Sequence, residues 1–159
     1  MKKLLFLIPL LLVVSCNESD SYFDPTLLSD GFKGITQTSA DGPEAIGGMY
    51  DPSDWCTRKS NGFNKDAVEI VSPNYFGFYP CYPNPILQNQ ETTLTFSLTQ
   101  NTFVNLYLID KHQRVLENII YGHYTAGVYT VKFNATGLPK DIYRFIIETD
   151  QNTCKGDLW

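Results

Sequence analysis

CYPNPILQNQETTLTFSL, residues 81–98, changes character at its midpoint. A Pro83-Asn84-Pro85 step gives way to Leu94, Phe96 and Leu98 alternating with Thr93, Thr95 and Ser97. Period-two patterning places one face of a strand on a core and the other toward water. The same period returns three times downstream. Val104, Leu106 and Leu108 alternate with Asn105, Tyr107 and Ile109; Tyr129, Val131 and Phe133 alternate with Thr130 and Lys132; Tyr143, Phe145 and Ile147 alternate with Arg144, Ile146 and Glu148. Turn signals at Asp110-Lys111-His112-Gln113, Ala126-Gly127 and Gly137-Leu138-Pro139 separate these runs, close to the roughly 8–12-residue spacing of a sandwich. No long segment of helical period competes with them. The pattern predicts an all-β chain, an antiparallel β-sandwich over residues 80–159. Proline fixes φ and donates no hydrogen bond, so Pro83 and Pro85 suit the entry to an edge strand and blunt pairing there.

Upstream, residues 34–79 read as a loop-rich lead-in. Ile35-Thr36-Gln37-Thr38 suits a short strand and is followed by turn signals at Asp41-Gly42-Pro43, Gly47-Gly48 and Asp51-Pro52,. Trp55 is expected to pack against something larger, and residues 67–72 (AVEIVS) suggest a further strand. The aromatics Tyr75, Phe76, Phe78, Tyr79 and Tyr82 then fall within eight residues. Tyr combines an apolar face with a polar tip, so this run is a candidate platform for a glycan or an envelope protein. Core packing competes with that reading, because aromatics are enriched in strands generally.

The N-terminus reads MKKLLFLIPLLLVVSC: two lysines, an apolar run over residues 4–14, then Ser15 and Cys16. That is the layout of a secretory signal over residues 1–15, and the run is shorter than the roughly 20 apolar residues of a membrane span. Val13-Val14-Ser15-Cys16 resembles the bacterial lipobox, which implies acylation of Cys16, a covalent lipid in place of any other cofactor, and attachment to a membrane. Several acyl chains anchor stably because each buried methylene contributes about 0.8 kcal/mol. Asn17 rather than aspartate follows the cysteine, which by resemblance to lipoprotein sorting points to the outer membrane. Its surface and periplasmic faces both remain open. Residues 16–33 form a tether of polar character.

Removal of residues 1–15 takes Lys2 and Lys3 and no acid, leaving 10 basic against 17 acidic residues. A surface of that sign argues against nucleic acid as a partner. Cys56, Cys81 and Cys154 remain in an oxidising compartment, where one disulfide and one leftover thiol are expected. Neither histidine, His112 nor His123, has a nucleophile or metal-ligand pattern beside it, and both are read as turn residues,. Asp41, Asp51 and Asp54 lack the ligand rhythm of a calcium loop and are assigned to turns and caps,. Catalytic and metal residues are therefore expected to be none.

Tyr82-Pro83-Asn84-Pro85, TTLTFSL, LYLIDKHQRVLENIIYG, the Ala126-Gly127 turn into YTVKFNATGLP, and IYRFIIE occur in an order that resembles the FlgD Ig-like family. That family is the immunoglobulin-like sandwich of flagellar hook-capping proteins, and it is similar to the sorting domains of type IX secretion cargo. The resemblance spans about residues 80–150 and implies an Ig-like sandwich serving as a non-enzymatic structural or interaction module. Sorting domains end on a strand rich in basic residues, whereas this chain reads CKGDLW with Lys155 alone, so the fold is what carries over. A surface lipoprotein with a defined ligand site and a type IX-linked protein are the alternatives. Cys81 stands where the family pattern often has a small apolar residue, which favours Cys56–Cys154 as the disulfide, with Cys81 as the rival partner.

Overall fold

The computed structural model describes Phe32 and residues 34–48, 54–56, 72–87 and 90–159. The leader, Cys16, Asp51 and most of the strand expected over residues 67–72 lie outside the described residues. Those described form nine strands and no helix: β1 (Thr36–Thr38), β2 (Ala45–Gly48), β3 (Gly77–Tyr82), β4 (Glu91–Leu98), β5 (Thr102–Asp110), β6 (Val115–Tyr124), β7 (Gly127–Asn134), β8 (Tyr143–Thr149) and β9 (Thr153–Leu158). β1 and β2 pair by themselves, β3-β4-β7 form a three-stranded sheet, and β6-β5-β8-β9 form a four-stranded one. Every pairing is antiparallel.

The alternating side chains meet where the two larger sheets face each other. Phe78, Leu94, Phe96 and Phe133 from one sheet share a core with Val104, Leu106, Leu108, Phe145 and Ile147 from the other. Phe133 and Phe145 cross the gap edge to face, ring centroids 5.3 Å apart, a favoured aromatic geometry. This is an all-β arrangement consistent with the expected sandwich.

Three expectations change. The aromatic run is more than a lead-in: Phe78, Tyr79 and Tyr82 lie in β3, an edge strand of the three-stranded sheet, and Tyr75 and Phe76 come just before it. Both faces of β3 are buried, so no polar/apolar alternation marks it. Pro83-Asn84-Pro85 therefore joins β3 to β4, and β4 is the central strand of its sheet rather than an edge. β3 is an edge, and Pro80 lies where its register slips between Tyr79 and Tyr82, a position suited to a residue without an N–H. Finally, His123 is not in a turn. It lies in β6 opposite Phe103, with the rings 5.2 Å apart. Two register shifts along β5–β6 break the period of β6, and a bulged edge strand loses the alternation by which strands are read.

The four-stranded sheet also buries part of its outer face. Tyr107, Ile109 and Ile146 cluster there, beside an Arg144–Asp157 pair in which Nε and Nη2 donate to the two carboxylate oxygens at 2.6 and 2.9 Å. Both side chains are almost fully buried, and the Phe32 ring lies 4.5 Å from the guanidinium carbon. Two bonds in fork geometry are what a desolvated ion pair requires.

Two devices close the side of the sandwich between β3 and β9. In the first, Trp55 N–H donates to the Lys155 carbonyl and Phe78 N–H donates to the Cys56 carbonyl, so residues 54–56 bridge both sheets. Trp55 is buried against Phe78 and lies so close over Gly156 that a Cβ there would clash with the indole. Trp55 itself adopts φ +57°, a left-handed conformation that costs a bulky residue about 1–2 kcal/mol and is held by these contacts. Cys56 is bonded to Cys154 across 98 residues, while Cys81 is a buried free thiol that burial pushes up to about 12.

The second device is Asn84, which is fully buried. Its side-chain amide donates to the carbonyls of Thr36 and Asp157, each at 2.9 Å. Its side-chain oxygen accepts from Trp159 N–H, and its backbone carbonyl accepts from Thr38 N–H. Both flanking prolines follow cis peptide bonds.

Asn84→Ala orphans two buried backbone carbonyls and the part-buried Trp159 N–H and should destabilise the protein by about 3 kcal/mol, measured as a lower urea midpoint at unchanged slope. A midpoint equal to wild type would show that these groups are not held by Asn84. Replacing Cys56 and Cys154 together by alanine should cost about 4–5 kcal/mol in the chain-entropy account of a long loop. Wild-type stability of that double variant under non-reducing conditions would refute the role given to the bond.

Candidate functional site

A concavity of about 470 Å³ opens at one pole of the molecule, where the β3–β4 connection, the β7–β8 loop and the end of β9 converge. One wall is Pro85-Ile86-Leu87. It is fixed from below by Asn84, since Ile86 N–H donates to the Trp159 carbonyl at 2.8 Å and Trp159 N–H returns to the Asn84 side chain at 3.1 Å. The same amide therefore sets the separation between this wall and Trp159.

The facing wall is the β7–β8 loop. Asn134 accepts Thr136 N–H through its side chain, and Leu138 N–H donates to the Ala135 carbonyl, which curls the chain into a turn. Gly137 takes φ +86° there, a conformation glycine enters without penalty. The far end is fastened twice. Tyr143 donates its hydroxyl to the Pro139 carbonyl at 2.5 Å, and Asp141 pairs with Lys111 at 2.7 Å. Tyr143 and Leu158 are buried and supply the floor.

The wall side chains are mainly aliphatic, and two exposed apolar groups stand beside them: Leu87 at 69% and Trp159 at 42% of full exposure. Of the polar groups, the Tyr143 hydroxyl is occupied by Pro139. The Asp141 carboxyl is held below its ordinary range by Lys111 and the Ile142 N–H. Lys140 places its ammonium 5.3 Å from the centre of the Trp159 ring. Shape, apolar contact and one positive charge are what the cleft offers a ligand.

The residues singled out from sequence lie elsewhere. Phe78 points into the shared core and Tyr79 to the opposite face of β3, and both are fully buried. Tyr79 contacts Ser97 Oγ at 3.4 Å, and burial raises its phenol. Tyr75, Phe76 and Tyr82 are half-buried, with the Tyr75 carbonyl accepting from Ser97. The five rings thus divide between faces and make no common platform, and none lines the cleft. Among the aspartates, Asp41 occupies an exposed turn and Asp54 is fully buried. The cleft residues Leu87, Leu138, Lys140 and Trp159 come from three separate stretches, and no local motif joins them.

His112 is in the turn expected for it, but Asp110 organises that turn. Its carboxylate accepts from the backbone N–H groups of His112 and Arg114 and from the Arg114 guanidinium at 2.6–2.8 Å. The arginine and these N–H groups hold the Asp110 carboxyl down to about 2. A carboxyl whose folded pKa lies below its ordinary value of about 3.9 contributes stability above that value and loses it as pH falls through the folded pKa. The urea midpoint should therefore drop between about pH 4 and pH 2, and Asp110→Asn should flatten that drop. An identical profile for the variant would remove Asp110 from the account.

No protein-family model, no curated protein and no solved structure matches this chain.

Proposed function

We propose that this is a lipid-anchored protein of the outer cell envelope, held through acylated Cys16, whose FlgD-like, Ig-like sandwich is a non-enzymatic interaction module. The observation that carries the anchor is the placing of Cys16 directly after an 11-residue apolar run and Ser15. An Ig-like reading is supported by topology. Counted from β3, the seven strands divide into first-second-fifth and fourth-third-sixth-seventh. An immunoglobulin constant domain has the same order except that its fourth strand joins the other sheet. The Tyr143 hydroxyl, bonded four residues upstream at the start of the sixth strand, matches the tyrosine corner of such sandwiches.

A second reading, a surface lipoprotein with a defined small ligand, is favoured by the aliphatic cleft rather than by the Tyr75–Tyr82 aromatics. Type IX-linked export has weaker support, because β9 carries Lys155 as its only basic residue.

Cells fed a labelled fatty acid should incorporate it into the wild-type protein and not into Cys16→Ala. Equal labelling of the two would sink the anchor. Protease treatment of intact cells then reports the facing, with cleavage of the sandwich marking the outer surface.

A further inference from the structure

We infer that the polar cleft mouth and its aliphatic walls form a binding site for a monoanionic amphiphile, an aliphatic chain carrying one carboxylate. The chain lies between Ile86–Leu87 and Leu138, and the carboxylate meets Lys140. This deepens the reading of the sandwich as a binding module and is independent of the lipid on Cys16.

Size and lining point to a small apolar ligand. A volume near 470 Å³ falls within the about 300–1,000 Å³ of small-molecule sites. The aliphatic walls supply contact without hydrogen bonds, and the Tyr143 hydroxyl in the floor is already satisfied by Pro139. Leu87 and Trp159 are exposed large apolar side chains, and here they border a concavity instead of lying scattered. Exposed apolar surface gathered at a cleft is a mark of binding.

Charge selects the head. The exposed cations Lys111, Arg114 and Lys132 each face a carboxylate, on Asp141, Asp110 and Glu91. Lys140, among the described residues, lies over an indole instead. A ring face attracts an ammonium without neutralising it, so a full positive charge remains at the mouth of the cleft. Asp141, on the same rim, is taken by Lys111 and does not compete. Among the described residues, the one exposed cation at the cleft that faces no carboxylate is Lys140, which matches a single negative charge. A dianionic phosphate head would bring a second charge with no partner.

The test is a titration of the full-length chain with octanoate, decanoate and dodecanoate below their micellar concentrations, followed by tryptophan fluorescence. Trp55 is buried, so Trp159 is the reporter, and Trp159→Phe should abolish the signal. Each added methylene should tighten binding about fourfold, equivalent to about 0.8 kcal/mol. Lys140→Gln should weaken decanoate binding about three- to fivefold, leave decanol unchanged, and be rescued by Lys140→Arg. Leu87→Asp, at an exposed position, should abolish binding with an unchanged melting temperature. No saturable change, or decanol and decanoate binding alike with Lys140→Gln silent, would overturn the inference. Such a failure leaves the acylation result intact, and failed acylation leaves this titration intact.

Discussion

A fully buried primary amide organises this molecule. Asn84 has two N–H donors and one side-chain oxygen, and each has a backbone partner, on β1, β9 and Trp159. A buried polar group with every bond made is tolerated, and one left unmade is costly. The consequence is geometric. The β3–β4 connection cannot shift without breaking bonds to two other strands, so the end of β9 is held beside it and the cleft walls keep their spacing. Aspartate would lose both donors, and a longer amide would not fit between the same carbonyls.

Around that amide, the chain covers surfaces that sandwich patterning leaves open. Trp55 fills the gap over Gly156, while Arg144 and Asp157 pair on a face that alternation assigns to water. These additions explain why β3, β8 and β9 are buried nearly throughout. The strands toward β6 and β7 keep exposed residues and a plainer sheet surface. The molecule is thus thickly covered along β3–β9 and thinly along β6–β7.

That asymmetry decides what was legible in the sequence. β4, β5, β7 and β8 stood out because their inward residues alternate with polar ones, and the strands run only a residue or two beyond the alternating core. β3 was hidden because its sequence, GFYPCY, carries no polar residue to alternate with the inward ones. β6 was hidden because its bulges interrupt the period. The Cys56–Cys154 bond is as the family resemblance implied, since cysteine spacing alone does not choose among three partners. The cleft was illegible for a different reason. Its walls are brought together by Asn84 and by Tyr143, whose roles depend on partners up to 75 residues away. Aromatic density drew attention to Tyr75–Tyr82, where the rings serve β3 instead.

The bond from Cys56 to Cys154 also sets the mechanical path through the molecule. It joins positions 98 residues apart, so strands β3 to β8 lie inside a covalent loop. A pull applied between the N-terminal part of the chain and Trp159 passes from one sulfur to the other and along β9 from Cys154 onward. Strands β3 to β8 are bypassed by that load. Tension along the chain is therefore borne by a covalent bond and one strand, while strands β3 to β8, with the pole they support, remain slack.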